Sequence, residues 1–264
     1  MTKLRLLREL TSGTSCVLTD GAWGTALLRR MPGLRLPALA VLDAPDVVLS
    51  IAREYLAAGA ELLSTDTFRA SPCILSKHGR EAACEALNAQ AVTLAREAGA
   101  DCILGSIAPL SQESGTSDPP WLREQFMQQA AGLVRGGCRT ALLETFSDIG
   151  EACIAMRACR DAGMEEIVCS LFTSGAEQAL RAFEVLTKES VDFVGVNCVA
   201  PEEYPPGAVY FRPNAGKPGA PIAPAPFAEA IAQAVAHGAG IVGGCCGATP
   251  AHIAAVRAVL TTPR

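Results

Sequence analysis

The chain has 264 residues, half of them apolar, with 24 Gly, 17 Pro and a formal net charge of −5, a composition that suits one large core and excludes a disordered or fibrous chain. The acidic balance gives no electrostatic reason to expect nucleic acid or a membrane surface as partner, and no apolar stretch approaches the roughly 20 residues that cross a bilayer. The opening residues, Met1 to Arg5, lack the long apolar segment of a signal peptide, so a cytoplasmic location is the expectation, where the 11 Cys read as reduced thiols rather than a disulfide framework.

Short apolar runs alternate with longer segments of helical period. Residues 17–20 read as a strand ending in Asp20, and 46–59 as a helix with Val47, Val48, Ile51, Tyr55 and Leu56 on one face. A second strand at 61–68 precedes a helix from about 79 to 98, and a third at 102–107 precedes one from about 120 to 136. The fourth pair is 141–145 with 148–162, stopped by Gly163, and the fifth is 167–172 with 177–188. Strands at 193–198, 208–211 and 240–245 follow, with helices at about 226–237 and 250–260. This alternation predicts an α/β protein, a single-domain (β/α)8 TIM barrel over residues 1–264, rather than a doubly wound open sheet. The sixth β/α unit is truncated: residues 199–207 hold three prolines and too few positions for a crossover helix, which leaves a thin face that a second copy of the chain could cover.

The stretch around which the chemistry gathers is Ile241 to Pro250, where two adjacent thiols, Cys245 and Cys246, follow an apolar run and are flanked by glycines. A third thiol, Cys198, ends the sixth predicted strand. Three cysteines at the C-terminal ends of strands suit a zinc ion with its fourth position open, and their separation along the chain is far too long for a zinc finger. Asp20, Asp66, Thr67, Ser106, Glu144, Asn197 and Asn214 fall at the same end of the predicted barrel. Taken singly, an Asp there is more often a helix cap and Asn214 a turn residue. Cys16, Cys102, Cys138, Cys153, Cys159 and Cys169 lie in or beside apolar segments and read as small core residues, Cys73 and Cys84 have no metal-like spacing, and none of the three histidines is spaced as a ligand. Three thiolates on zinc form an electron-rich site that favours another sulfur ligand, which would lose its proton there and become nucleophilic. Alkyl transfer to sulfur is the reaction so implied. Asp20 and Glu144 could hold an ammonium group, and the Asp20-Gly21-Ala22 turn could offer N–H groups to a carboxylate.

Through nearly its whole length the sequence resembles the homocysteine S-methyltransferase family. The resemblance is carried by Asp20-Gly21-Ala22-Trp23-Gly24-Thr25, residues 65–71 (TDTFRAS), Gly105-Ser106-Ile107-Ala108-Pro109, Glu144-Thr145, Gly195-Val196-Asn197-Cys198 and residues 243–250 (GGCCGATP). With Pro213 to Pro218 and Gly247 it looks most like the homocysteine-binding module of cobalamin-dependent methionine synthase. The resemblance implies Zn2+ on Cys198, Cys245 and Cys246, homocysteine as acceptor and methionine as product. It places Asp20 and Glu144 at the homocysteine amino group, with Gly21, Ser106 and Asn197 as further substrate-binding candidates. The methyl donor is S-methylmethionine, S-adenosylmethionine or a separate methylcobalamin protein. Arg69 departs from the residue expected after Thr-Phe; it could meet an anionic donor or partner, or be a surface arginine, and a cationic donor such as betaine would be disfavoured beside it. The alternatives are a methyltransferase acting on another thiol or a selenol, and a non-catalytic or split-enzyme homocysteine-binding subunit that works with a separate cobalamin protein.

Overall fold

The computed structural model describes residues 3–14, 16–217 and 220–261; Met1, Thr2 and Pro218 lie outside them, as does the side chain of Lys217. Eight parallel strands run in the order β1-β8-β7-β6-β5-β4-β3-β2. They are β1 (Val17–Leu18), β2 (Leu63–Ser64), β3 (Ile103–Ile107), β4 (Thr140–Phe146), β5 (Glu166–Leu171), β6 (Phe193–Asn197), β7 (Tyr210–Arg212) and β8 (Ile241–Val242). The sheet curls until its two edge strands meet, and side chains help close the seam. Glu61 N–H donates to Leu18 O at 2.8 Å, while carboxylate oxygens of Glu61 and Asp20 accept from Leu18 N–H (2.9 Å) and Ser64 N–H (2.8 Å). Two carboxylates thus take places that main-chain carbonyls hold elsewhere in the ladder.

Helices cover the outside: α1 (Leu7–Thr11), α2 (Trp23–Arg30), α3 (Pro45–Ala57), α4 (Cys84–Ala98), α5 (Pro119–Arg135), α6 (Ile149–Asp161), α7 (Ala176–Lys188), α8 (Pro224–Ala236) and α9 (Pro250–Thr261). Asp148 caps α6 by accepting from Glu151 N–H at 2.9 Å, and Gly163 turns the chain after it with φ of 102°. At the N-terminal end of the barrel, Leu7 and Leu10 of α1 pack on Val17, Leu104, Leu142 and Ile241. Glu166, fully buried, accepts from Leu7 N–H (2.6 Å), Arg8 N–H (3.1 Å) and Thr140 Oγ1 (2.9 Å), which fixes the start of α1 and closes this end. The opposite end is left for chemistry.

Several features depart from expectation. Six of the strands are shorter than the apolar runs that announced them, with two residues at β1, β2 and β8, while β4 is longer, and α1, α2 and a small antiparallel hairpin (Gly216–Lys217 with Ala220–Pro221) were not foreseen. The truncated sixth unit is present: between Asn197 and Tyr210 the described residues form no helix. Tyr204 fills part of that face, its ring edge-on to Phe211 at 5.2 Å and its hydroxyl donating to Ala208 O at 2.9 Å. No helix among the described residues is long and apolar enough to cross a membrane.

Candidate active site

The three cysteines meet. Cys198 follows β6, Cys245 and Cys246 follow β8, and their three sulfurs lie within 4.8 Å of one another, with Cys198 Sγ 2.7 Å from Cys245 Sγ and 4.0 Å from Cys246 Sγ. Sulfurs held tetrahedrally at about 2.3 Å from one metal stand about 3.8 Å apart. The wider contact meets that spacing and the narrower one is tighter, so a thiophilic divalent ion fits this donor set with a small spreading of the Cys198–Cys245 pair. The backbone bends sharply to bring them in. Cys198 is left-handed, φ 60°, a strained conformation for a residue with a Cβ, and Gly247 at φ 80° turns the chain just past the vicinal pair. Hydrogen bonds from Cys198 and Cys245 pull the Cys246 thiol well below the usual range, and the same contacts push Cys198 up.

Asn197 braces this cluster. Its Nδ2 lies 3.5 Å from Cys198 Sγ and 3.8 Å from Cys245 Sγ, and its side chain bonds Thr145 across the mouth. Glu144, beside Thr145 at the end of β4, accepts a hydrogen bond from Ser106 Oγ. Burial pushes its carboxyl up to about 7, against the pull of Arg212.

A cavity of about 200 Å3 joins the thiols to these groups; Gly21, Trp23, Ser106 and Glu144 contribute to its wall with all three cysteines. The first turn of α2 opens on it through Trp23, Gly24 and Thr25, whose main-chain N–H groups precede the helical ladder. Gly21 has no room for a side chain: a Cβ would stand 2.8 Å from both Ala248 O and Tyr55 Cε1. Tyr55 Oη, 3.1 Å from Ala22 O and from Ala248 O, donates between them and ties the β1 loop to the β8 loop.

Asp20 and Asn197 stand behind the wall rather than in it. Asp20 is wholly buried, and its carboxylate takes Trp23 Nε1 (2.7 Å), Ser64 N (2.8 Å), Ser64 Oγ and the Arg212 guanidinium (2.9 Å). Burial pushes its pKa up, and Arg212, Trp23 and Ser64 pull it back. Arg212, absent from the sequence-based site, is 3 % exposed and also donates to Gly21 O (2.9 Å), Gly244 O (3.0 Å) and Tyr210 Oη (3.2 Å). Its signal was available: a charged residue ending an apolar strand at the barrel mouth. Asn214, two residues before the hairpin, donates from Nδ2 to Cys198 O (2.8 Å). Arg69 is ion-paired with Glu113 at 2.6 Å, and Glu113 also holds Lys77. All eleven cysteines are free; Cys84, Cys102 and Cys159 are core residues whose thiols burial pushes up to about 12.

A barrel that gathers three thiols at the C-terminal rim, open to a cavity with carboxyl and main-chain N–H groups in its wall, has the layout of proteins that can hold a thiophilic metal ion beside a substrate pocket. Residues 17–260 match the family model described as homocysteine S-methyltransferase, and the chain belongs to that family. It is 30% identical over 259 residues to the methionine synthases of Mycobacterium leprae and Mycobacterium tuberculosis. Those matches take in 82% of this chain but 21% and 22% of the relatives, so the chain spans about a fifth of their length. The metallated form of the homocysteine methyltransferase MmuM from Escherichia coli has the same fold, with TM-score 0.83 over 96% of this chain and 99% of that one at 23% identity. The apo form of MmuM gives 0.77.

Proposed function

We propose that this chain is a zinc-dependent methyltransferase that moves a methyl group to the thiol of homocysteine to give methionine. The observation that carries the reading is the convergence of Cys198, Cys245 and Cys246 within 4.8 Å on the wall of a cavity that also holds Glu144. Zn2+ on these three thiolates would supply a Lewis acid that favours the thiolate form of homocysteine at neutral pH.

The chain's own residues do the rest. Glu144, steadied by Ser106, faces the cavity as the carboxylate that meets the homocysteine ammonium. The first turn of α2 offers N–H groups to the homocysteine carboxylate. Asp20, with four donors on it, acts through Trp23 and Arg212, holding two parts of the wall in place. Apolar wall residues such as Leu36, Pro37 and Phe68 keep water away from the nucleophile. As the new S–CH3 bond forms, the donor's bond to methyl breaks with its electron pair staying on the donor, and the thiol proton leaves to solvent.

Methyl transfer from a cobalamin carrier is the second reading for the donor, favoured by the 30% identity to methionine synthases. The test is methionine formation by zinc-loaded protein with a panel of donors, alongside Cys245→Ala. Wild type should bind about one zinc and form methionine, and the variant should lose both while keeping the circular dichroism of the barrel. Activity that survives removal of the metal would overturn the reading.

A further inference from the structure

Gln129 of α5 is wholly buried, yet it forms no part of the cavity wall. Two glycines seat its helix closely: a Cβ at Gly105 of β3 would stand 2.7 Å from Leu133 Cδ1, and one at Gly132 would stand 2.8 Å from Asn88 Cβ of α4. From that position Gln129 Nε2 donates to Thr67 O at 2.7 Å and to Ser106 O at 3.3 Å. Its Oε1 has no hydrogen-bond partner. A buried amide with one end unsatisfied is less favourable than an apolar side chain of the same length, so what this residue contributes lies in its N–H groups and in what they hold.

They hold the rim where β2 and β3 part. Thr65 N–H still donates to Leu104 O at 2.9 Å, but Ser106 O, two residues further along β3, takes Thr67 Oγ1 (2.7 Å) and Gln129 Nε2 instead of a main-chain donor, and Ser106 N–H donates to Thr65 Oγ1 (3.0 Å). Side chains thus fix both main-chain groups of Ser106. Its hydroxyl, on the cavity side, donates to Glu144. A continuous path therefore runs from a helix outside the barrel, through Ser106, to the carboxyl that meets the homocysteine ammonium. Asn88 is the contrast: it is also a wholly buried amide with an unpartnered oxygen, but it donates to Ala70 O (3.0 Å) and Cys84 O (2.8 Å), neither of which leads to Glu144.

We propose that Gln129 is a positioning residue for the acceptor: by fixing the main chain of Ser106 it aims the Ser106 hydroxyl at Glu144 and sets that carboxylate to receive the ammonium group. This rests on homocysteine being the acceptor. The ammonium group keeps its charge throughout methyl transfer, which takes place at the sulfur, so the contact that Gln129 supports is the same in the bound substrate and in the transition state. Loss of Gln129 should therefore weaken homocysteine binding and raise its KM, with kcat unchanged.

The experiment is calorimetric titration of the zinc-loaded full chain with homocysteine and with 4-mercaptobutanoate, which differs only in lacking the amino group. Wild type should prefer homocysteine by about tenfold or more, the usual worth of a charge-assisted hydrogen bond. Gln129→Met, similar in length but without the donor, should remove most of that preference through homocysteine alone, with 4-mercaptobutanoate affinity and zinc content unchanged. Asn88→Leu should keep the wild-type preference. In a Ser106→Ala background Gln129→Met should change nothing further, because the path runs through that hydroxyl. The preference is a ratio of dissociation constants and does not depend on the fraction of folded protein; if Gln129→Met does not fold, Gln129→Asn, whose amide is one methylene short of both carbonyls, is read in its place. A preference left intact by the Gln129 substitution, an equal loss in Asn88→Leu, or a loss that adds in full to that of Ser106→Ala overturns the proposal while leaving homocysteine as acceptor. Failure of wild type to bind homocysteine would instead remove the reading on which it rests.

Discussion

The side-chain amide of Asn197 holds Thr145 from two directions, accepting its main-chain N–H at 2.9 Å and donating to its hydroxyl at 2.8 Å. Thr145 is left-handed, φ 66°, a strained position for a β-branched residue, and Ser170 Oγ fixes the same Asn197 oxygen at 2.7 Å. The other end of the amide faces Cys198 and Cys245. One side chain therefore registers the Glu144 turn against two of the thiols. Asn197→Ala should weaken zinc binding by about 10–100-fold, the usual effect of losing a group that orients metal ligands. Competition against a chromophoric chelator measures it, and an affinity equal to wild type would show that the thiols hold their places without the amide.

Glu144 gives a pH dependence with a definite sign. Its carboxyl, ordinarily at 4.5, is raised to about 7 by burial. An ammonium ligand requires the ionised form, so affinity should climb with pH, by about tenfold between pH 6 and pH 8 from the change in ionised fraction. Methionine is the probe, because its thioether has no proton to lose, and carrying Asp66→Asn in both proteins removes the other cavity carboxyl that burial raises to about 7. Calorimetry should show the slope where Glu144 is intact and none in Glu144→Gln. An equal slope in both would take Glu144 out of the ammonium site.

Asp66 should show its cost in the stability of the unliganded protein. Its carboxyl rises from 3.8 to about 7 on burial, so the native state keeps a proton that the unfolded state releases across that window. Stability is unaffected below about pH 4, falls as pH rises through the window, and stays low above it. Every tenfold difference in proton affinity between the folded and unfolded states is worth about 1.4 kcal/mol. Asp66→Asn should therefore match wild type in urea unfolding at pH 4 and exceed it by a few kcal/mol at pH 8. A constant difference across that range would mean that the carboxyl is not held neutral by burial.

How much of this could be read from the sequence depends on the length scale of each feature. The barrel was legible because eight apolar runs of similar spacing require eight similar burials. The thiol site was legible because vicinal cysteines between glycines have little use in a core. Helix α2 escaped notice because its eight residues include Gly24 and end in two exposed arginines, too short a pattern for periodicity to register. Arg212 escaped because the strand was ended one residue early at Phe211, where an arginine before Pro213 reads as loop. Asp66 was visible as a polar residue at the mouth, but the lack of a partner for its Oδ2 is a fact about surrounding atoms and has no sequence counterpart.

The Asp20–Arg212 pair carries the largest stability effect expected in the molecule. Both side chains are buried, at 0% and 3% exposed, and they join β1 to β7 with β2 and the Gly21 turn attached. A buried pair gains little over well-packed apolar residues, but removing one partner leaves the other charge without compensation, at a cost of about 3–5 kcal/mol. Arg212→Met should lose that much in urea unfolding, and adding Asp20→Asn should restore part of it. The same Asp20 oxygen that accepts from Trp23 also accepts from Ser64 N–H at the seam between β1 and β2. Loss of Arg212 should therefore loosen the seam in particular, seen as faster amide exchange at Ser64 than at Leu104 or Leu142 in β3 and β4. Uniform acceleration at all three sites would mean that the pair supports the barrel as a whole and has no special part in closing it.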